Sequence, residues 1–393
     1  MKKNISQCMI VKNEEKNIRR ALSWGKDIMC EQIVVDTGSS DRTVEIAREM
    51  GAKIFFFPWI NDFAAAKNFA IDQAKGDWIA FLDADESFTP EDAAKIPEIL
   101  EYVGEDVDGL LTGIVDLDEN NNITSGGTMI RFFVNRPDLR YVGKIHEHLV
   151  RKGRSGLHLT DATKQLAFLH TGYQEQEKRD KSKFERNLNI ILEILKQEPE
   201  NCDYLGYLGD TYSSDGKNEE ARDAYKKAVA AMPEKLGVYD QRSSYTYTNL
   251  LRVSQCLNAP EAEVEAIYKE AVEKLPKEPD FDCVMGEWYW RKGQYEKAVQ
   301  MYELAIAKLE TYGTVNRGII TTSMLIQMYE CLGEGCRRLG DYQKAVRYCV
   351  IEWLMRWLQE RLRNMFLISR ILQPLEQRDV LSLHILEHLQ QSL

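Results

Sequence analysis

The residues with the most chemistry to offer are carboxylates that stand at the ends of apolar runs. Asp83-Ala84-Asp85 follows directly on Trp78-Ile79-Ala80-Phe81-Leu82, and Asp36 closes Ile33-Val34-Val35. Asn13 and Glu14 stand just beyond Met9-Ile10-Val11. Two hard, anionic oxygen donors separated by one small residue suit Mg²⁺ or Mn²⁺ bridging to a diphosphate. In such a site Asp36 can accept the N–H of a uracil ring, Asp83 can bond ribose hydroxyls and Asp85 can take the metal. The bland reading is a polar turn, with Asp85 or Glu86 capping the next helix and Asp36 serving helix-capping or turn chemistry. Further along, His146, His148, His158 and His170 fall in a 25-residue window.

The apolar runs that carry these carboxylates alternate with helical patterns. Residues 6–11, 32–36, 53–56 and 78–82 read as strands. Between them lie a helix with Ile18 and Leu22 inward, one carrying Val44, Ile46 and Ala47, and one with Phe63, Ala66, Ala70 and Ala74 on one face. Ser40 is the expected N-cap of the second, Gly51 its terminator, and Asn61 or Asp62 opens the third. Strands alternating with helices through short connections give a mostly parallel α/β sheet, and such sheets bind ligands beyond the carboxyl ends of their strands. No Gly-x-Gly-x-x-Gly follows a strand, and no Walker-type loop is present.

The series MIVKNEE (9–15), IVVDTGSSDRTVEIA (33–47), WINDFAAAKN (59–68) and DWIAFLDADE (77–86) resembles a family 2 glycosyltransferase of the GT-A fold in order, spacing and residue type. The resemblance implies a nucleotide-sugar-binding domain, a UDP-sugar donor and Mn²⁺ or Mg²⁺. It implies Val11, Asn13, Glu14 and Ala84 beside the nucleotide, Asp36 on the base, Asp83 on the ribose or diphosphate, and Asp85 on the metal. Many members have arginine where this chain has Lys67, which keeps the charge but loses the bidentate fork, so Lys67 is a weaker phosphate ligand.

Residues 87–180 are less regular. A helix is expected from Pro90 to about Tyr102, and strands over 109–115 and 128–134, with the loop 116–122 between them. The later segments GKIHEH (143–148) and FLHTGY (168–173) resemble a branch of the family that includes envelope-sugar transferases and the bacterial peptide S-glycosyltransferases of the glycocin group. Inverting transfer needs a base beside the anomeric carbon. Glu147 is the favoured candidate and His146 the second; a pairing of Glu147 with Lys144 or Arg151 explains it equally well. His170 is expected to join Asp85 on the metal, which suits Mn²⁺ better than Mg²⁺; a satisfied histidine at a strand end is the alternative. Tyr173 reads as packing.

Residues 174–186 are almost wholly charged and polar and read as a solvated linker, entering a helix with Leu188, Ile191, Leu192 and Leu195 inward. The period then changes. Leu205, Leu208-Gly209, Tyr212, Gly216, Ala221, Tyr225, Ala228 and Pro233 match a tetratricopeptide repeat. The frame recurs as Met285-Gly286, Tyr289, Gly293, Ala298, Tyr302 and Ala305, and again as Tyr329, Leu332-Gly333, Gly340 and Ala345. Leu251, Tyr268, Ala271 and Pro276 anchor a degenerate copy. The expected organisation is a GT-A domain over residues 1–180 and an all-α repeat domain over 181–393. A long helix over 350–372, with Trp353, Trp357, Leu358, Phe366 and Ile368, and a tail helix with Leu381, Ile385 and Leu389, offer surface for a homodimer.

The totals agree with this organisation. At 393 residues the chain exceeds one ordinary domain. A net charge of −11 and a pI near 5.3 argue against nucleic acid as a partner. No run approaches the about 20 apolar residues of a membrane span, and the apolar run near the start is too short for a signal peptide. Eight cysteines without a CxxC read as reduced thiols of a cytoplasmic protein. The functional reading is a metal-dependent inverting transferase acting on a peptide or protein acceptor that the repeats hold. A cell-envelope saccharide or lipid acceptor is the alternative within the same chemistry, and a non-catalytic repeat scaffold the alternative outside it.

Overall fold

The computed structural model describes residues 3–121, 123–171, 176–237, 240–313 and 318–371. The chain divides into two compact units, Met1–Pro199 and Glu200–Leu393. The first alternates β1 (Ile5–Val11), α1 (Ile18–Ser23), β2 (Glu31–Asp36), α2 (Thr43–Glu49), β3 (Lys53–Phe56), α3 (Phe63–Asp72) and β4 (Trp78–Phe81). It continues through β5 (Glu86–Phe88), α4 (Pro90–Tyr102), β6 (Gly109–Leu117), β7 (Ile123–Val134), β8 (Leu139–Val142), β9 (His148–Arg151), β10 (Leu159–Asp161), β11 (Ala167–His170) and α5 (Gln176–Gln197).

Nine strands form one sheet in the order β3-β2-β1-β4-β7-β6-β11-β5, with β10 beside β6. β3, β2, β1 and β4 pair in parallel, as the alternating pattern requires. β7 runs antiparallel to both β4 and β6, and β5 antiparallel to β11, so the mostly parallel sheet is mixed on that side. For the β6–β7 pair the reason is local: the two strands are joined by a short connection, and a crossover back to parallel needs a dozen or more residues. The pair is also longer than expected, because the polar stretch 116–122 contributes its first two residues to β6. β8 and β9 form a separate two-stranded ribbon.

The run of residues 78–82 is apolar throughout because both faces are covered. Ile79 and Phe81 pack with Ala70 and Ile71 of α3, whereas Trp78, Ala80 and Leu82 pack with Ala93, Ile96 and Leu100 of α4. Asp62 caps α3 by accepting from the Ala65 amide, as expected. Ser40 does not cap α2: the residue before that helix is Arg42, and Asp41 accepts the Thr43 amide instead. Thr89 caps α4, with Pro90 in its first turn, so neither Asp85 nor Glu86 is spent as a helix cap.

The boundary expected at 180/181 lies at 199/200 instead. Residues 176–197 are helical, and the guanidinium of Arg186 stacks 4.9 Å over Phe63 of α3. The buried face of α5 is Ile190, Ile191 and Ile194; Leu192, expected inward, is exposed.

The second unit comprises α6 (Cys202–Ser214), α7 (Asn218–Ala231), α8 (Gln241–Cys256), α9 (Glu261–Lys274), α10 (Asp280–Arg291), α11 (Tyr295–Tyr312), α12 (Ile319–Ser323), α13 (Leu325–Arg338) and α14 (Tyr342–Ile371). The repeat frame has a direct physical cause. A Cβ at Gly209 would lie 2.4 Å from the Tyr225 ring, at Gly286 2.7 Å from the Tyr302 ring, and at Gly333 2.7 Å from Cys349 Sγ. Glycine lets the paired helices cross closely enough to bury the side chain opposite. In the degenerate copy, α8 and α9, no glycine stands there, and the turn takes its positive φ at Asn258 (54°) where the others use Gly216, Gly293 and Gly340.

α14 starts at Tyr342, so the long helix expected from 350 is the second helix of the last repeat, continued. The side chains of Phe366 and Ile368, the tail helix with Leu381, Ile385 and Leu389, and Tyr173 lie outside the described residues. Within the α10–α11 repeat, Asp282 is fully buried, 2.6 Å from Lys308 Nζ, and accepts from the hydroxyl of Tyr268 in α9. Two expectations follow. Gly209→Ala should destabilise the second unit by about 1–3 kcal/mol, because the Tyr225 ring must shift, although alanine favours a helix. Lys308→Met should cost about 3–5 kcal/mol by stranding Asp282, and Lys308→Met with Asp282→Asn should recover much of it. Urea unfolding of the full chain followed by circular dichroism measures both.

Candidate active site

The carboxyl ends of β1 and β4, with the β8–β9 ribbon and the amino-terminal half of α5, enclose a cleft of about 1040 Å³. Its lining includes Val11, Asn13, Glu14, Lys67, Asp83, Ala84, Asp85, His146, Glu147 and His170, so most of the residues singled out by spacing converge. Asp36 does not line it. Its carboxylate accepts the Gly38 and Ser39 amides at 3.1 Å and so orders its own turn, while Thr37 reaches the cleft. His158 is also elsewhere, with its ring beside the Asp106 carbonyl.

Asn13 sits in the left-handed region (φ 58°), and it ties the loop after β1 to the loop after β2. Its amide donates to Ser39 Oγ, its side-chain oxygen accepts the Ser40 amide, and the Glu14 amide donates to Thr43 Oγ1. These bonds hold two strand ends at one height.

Register brings His170 to Asp85. β11 runs antiparallel to β5 with His170 opposite Glu86, and parallel to β6 with His170 opposite Asp116. Consequently His170 Nε2 lies 3.4 Å from Asp85 Oδ2, and Nδ1 lies 2.7 Å from Asp116 Oδ1. The Thr171 amide and Arg20 both donate to the Asp85 carbonyl. The Asp85 carboxylate raises the His170 pKa to about 9 against the opposing effect of burial, with Asp116 adding to the rise. Among the described residues no group of three or more His, Cys, Asp or Glu is arranged to hold a metal. Asp85 and His170 nevertheless fit a divalent cation as a two-donor set: a carboxylate and an imidazole face each other, and a second carboxylate orients the ring. The remaining positions would fall to ligand oxygens.

Asp83 is held by a residue that spacing did not reveal. Arg131, buried on β7, donates to Asp83 Oδ2 at 3.2 Å and to Glu86 Oε1, while Glu86 Oε2 accepts the Asp83 amide. Burial opposes ionisation of Asp83, but Lys67 and Arg131 bring its pKa below the usual carboxylate value. The signal was present in the sequence as one arginine inside the apolar run Thr128-Met129-Ile130-Arg131-Phe132-Phe133-Val134, since a charge there must find a partner.

Glu147 pairs with neither Lys144 nor Arg151. Its partner is the buried Lys67, Nζ to Oε1 2.6 Å, and Arg151 is taken by Asp108 and Asp138. The lysine also lies 5.3 and 5.1 Å over the rings of Phe81 and Tyr141. Burial works against its charge, yet Asp83, Tyr141 and Glu147 keep its pKa above the ordinary lysine value. The loop that presents Glu147 is pinned to α3: the Phe63 amide donates to the Lys144 carbonyl, and Asn68 exchanges two hydrogen bonds with the Tyr141 backbone. His146 in that loop is exposed and left-handed (φ 55°). Lys183, Arg186 and Asn187 of α5 also line the cleft, although the sequence reading assigned residues 174–186 to a solvated linker.

Comparison with known proteins agrees with this architecture. Residues 6–154 match the family model described as Glycosyl transferase family 2, and residues 204–234 and 284–313 match tetratricopeptide-repeat models. The SPbeta prophage-derived glycosyltransferase SunS of Bacillus subtilis is 33% identical over 226 residues, 56% of this chain and 52% of that protein. A TPR repeat-containing protein of Synechococcus elongatus is 29% identical over 316 residues, 77% of this chain and 75% of that protein. An uncharacterized glycosyltransferase of Rickettsia typhi is 41% identical over 101 residues, 26% of this chain and 33% of that protein. The chain spans about half the length of the first of these relatives. It carries a family 2 glycosyltransferase domain of GT-A-like fold followed by tetratricopeptide repeats.

Proposed function

We propose that the chain transfers a sugar from a UDP-sugar to a side chain of a peptide or protein, with inversion, using Mn²⁺ or Mg²⁺. The observation that carries the reading is the opposition of Asp85 and His170 at one wall of a cleft whose other wall holds Glu147 locked to Lys67. A divalent cation, when bound, would neutralise charge on the departing diphosphate. Asp85 and His170 would hold it, and Asp116 would keep the imidazole turned towards it. Asp83, fixed by Arg131, would take ribose hydroxyls. Val11, Asn13, Glu14 and Ala84 would flank the nucleoside.

Glu147 would take the acceptor proton. Lys67 fixes the carboxylate, so the oxygen that meets the acceptor is set before the acceptor arrives. His146 is the second candidate, on the exposed part of the same loop. A cysteine thiol needs less help from such a base than a serine or threonine hydroxyl, because its pKa is near 8.5.

The repeats would hold the acceptor, since a helical array offers an extended surface for a peptide. The last helix also supports self-association: Tyr342, Val346, Val350, Trp353, Leu354, Trp357 and Leu358 are exposed at helical spacing along α14. All eight cysteines are unpaired, which supports a reducing, cytoplasmic setting. Among the described residues no helix is long and apolar enough to cross a membrane.

Three outcomes are expected. With Mn²⁺ and a panel of nucleotide sugars, the protein should release nucleotide, and Asp85→Asn should lower that rate about 10²- to 10³-fold while circular dichroism stays unchanged. Absence of metal-dependent turnover with every donor would defeat the reading. Glu147→Gln should slow transfer to an acceptor about 10²- to 10⁴-fold and leave UDP affinity within a factor of a few. Light scattering should give a dimer that Trp353→Glu converts to monomer; a monomeric wild type at high concentration would remove the self-association proposal.

A further inference from the structure

The charges of the cleft are unequally satisfied. Lys67 is matched by Glu147, and Arg131 by Asp83 and Glu86. Among the described residues, Lys183 and Arg186 make no ion pair although both line the same cleft. They stand one turn apart on α5, and their position on the helix is what makes them informative. Counting from Lys183, the face runs through Arg186 and Asn187 to Ile190, Ile191 and Ile194, the three buried isoleucines of the helix. Spacings of three, four, seven, eight and eleven define a single helical stripe. The two cations therefore continue the stripe of the buried isoleucines into the cleft lining, Arg186 half-buried and Lys183 exposed.

Arg186 is also pre-set. Its guanidinium lies 4.9 Å over the Phe63 ring, and Nε and Nη2 donate to Asn187 Oδ1 at 3.2 and 3.0 Å. A guanidinium has five N–H donors in a planar fork. Two are used locally, and the edge carrying Nη1 has no hydrogen-bond partner among the described residues. Burial makes its charge less favourable, with Glu147 as the opposing influence, as expected for a half-buried cation that lacks a fixed counter-ion. A planar fork, stacked and aimed into a cleft, matches the paired oxygens of a phosphate or carboxylate.

We infer that Lys183 and Arg186 of α5 form an anion subsite of this cleft that takes the phosphate oxygens of the nucleoside diphosphate. The inference rests on the UDP-sugar reading and adds to it a phosphate-binding element outside the sheet. Asp83 and Asp85 bring negative charge to the strand-end side of the cleft, and Arg131 and Lys67 are already neutralised there. A diphosphate needs positive charge beyond that of one divalent ion, and the α5 cations are placed to supply it. The site also gives α5 a reason to belong to the first unit: the helix completes the donor pocket.

The test is calorimetric titration of the full chain with UDP, uridine and inorganic pyrophosphate, each with Mn²⁺. The variants are Arg186→Gln, Arg186→Lys, and Lys183→Gln with Arg186→Gln. Arg186→Gln should weaken UDP and pyrophosphate about 10- to 100-fold and leave uridine unchanged, with a further loss in the double variant and partial recovery in Arg186→Lys. Equal UDP affinity in wild type and double variant would overturn the subsite, and loss confined to acceptor transfer would assign the two cations to an acidic acceptor instead. A parallel loss of uridine affinity would also overturn it, because the variant would then have reshaped the nucleoside pocket. A wild type that binds pyrophosphate through Arg186 but neither UDP nor uridine keeps the subsite and removes the UDP reading. A wild type that binds none of the three removes both.

Discussion

Arg131 lies beneath the acidic turn after β4, and the geometry of the cleft depends on it. A guanidinium at this depth cannot remain unpaired, because desolvation of an isolated charge outweighs any packing it gains. Glu86 answers it from β5 and Asp83 from the turn, and Glu86 also accepts the Asp83 amide. The turn after β4 is thereby closed around a buried ion pair, and Asp85 is left pointing away from it towards His170. Two carboxylates separated by one residue receive different partners, which is why they can do different work.

The sheet supplies the rest by register. A one-residue slip of β11 against β5 would turn His170 to the opposite face and separate it from both Asp85 and Asp116. β11 avoids that slip by pairing on both sides: Phe168 is fully buried against Phe88 and Phe132, which anchors the strand by packing. α3 performs the same service for the opposite wall. It carries Lys67 and clamps the ribbon that presents Glu147, so the candidate base and its counter-ion are held by one element.

The repeat domain follows a different logic, in which close helix crossing is local and repeated. Glycine opposite Tyr225, Tyr302 or Cys349 sets the crossing in every copy but α8–α9, and a left-handed residue closes each turn. Such a domain is stabilised mainly between neighbours, which is why a short sequence frame suffices to recognise it. Asp282 and Lys308 join the two helices of one repeat by buried charges 26 residues apart in sequence, which the repeat frame does not mark.

The strands with their covering helices, the acidic strand ends and the repeat frame were legible in the residues themselves, because each follows from a local period or from residue type at an element's end. Asp62, Gly51 and the turn glycines Gly216, Gly293 and Gly340 act within a few residues of where they stand. Other features depended on which distant segments meet. The pairing of Glu147 with Lys67, the role of Arg131, the engagement of Asp36 by its own turn and the return of β7 between β4 and β6 all required the tertiary fold. So did the place of Arg186: a mixed-charge stretch of sequence has the composition of a solvated face, and only the packing of α5 decided which of its charges meet water. Local periodicity is written in neighbouring side chains, whereas the partner of a buried charge is chosen by desolvation across the whole sheet.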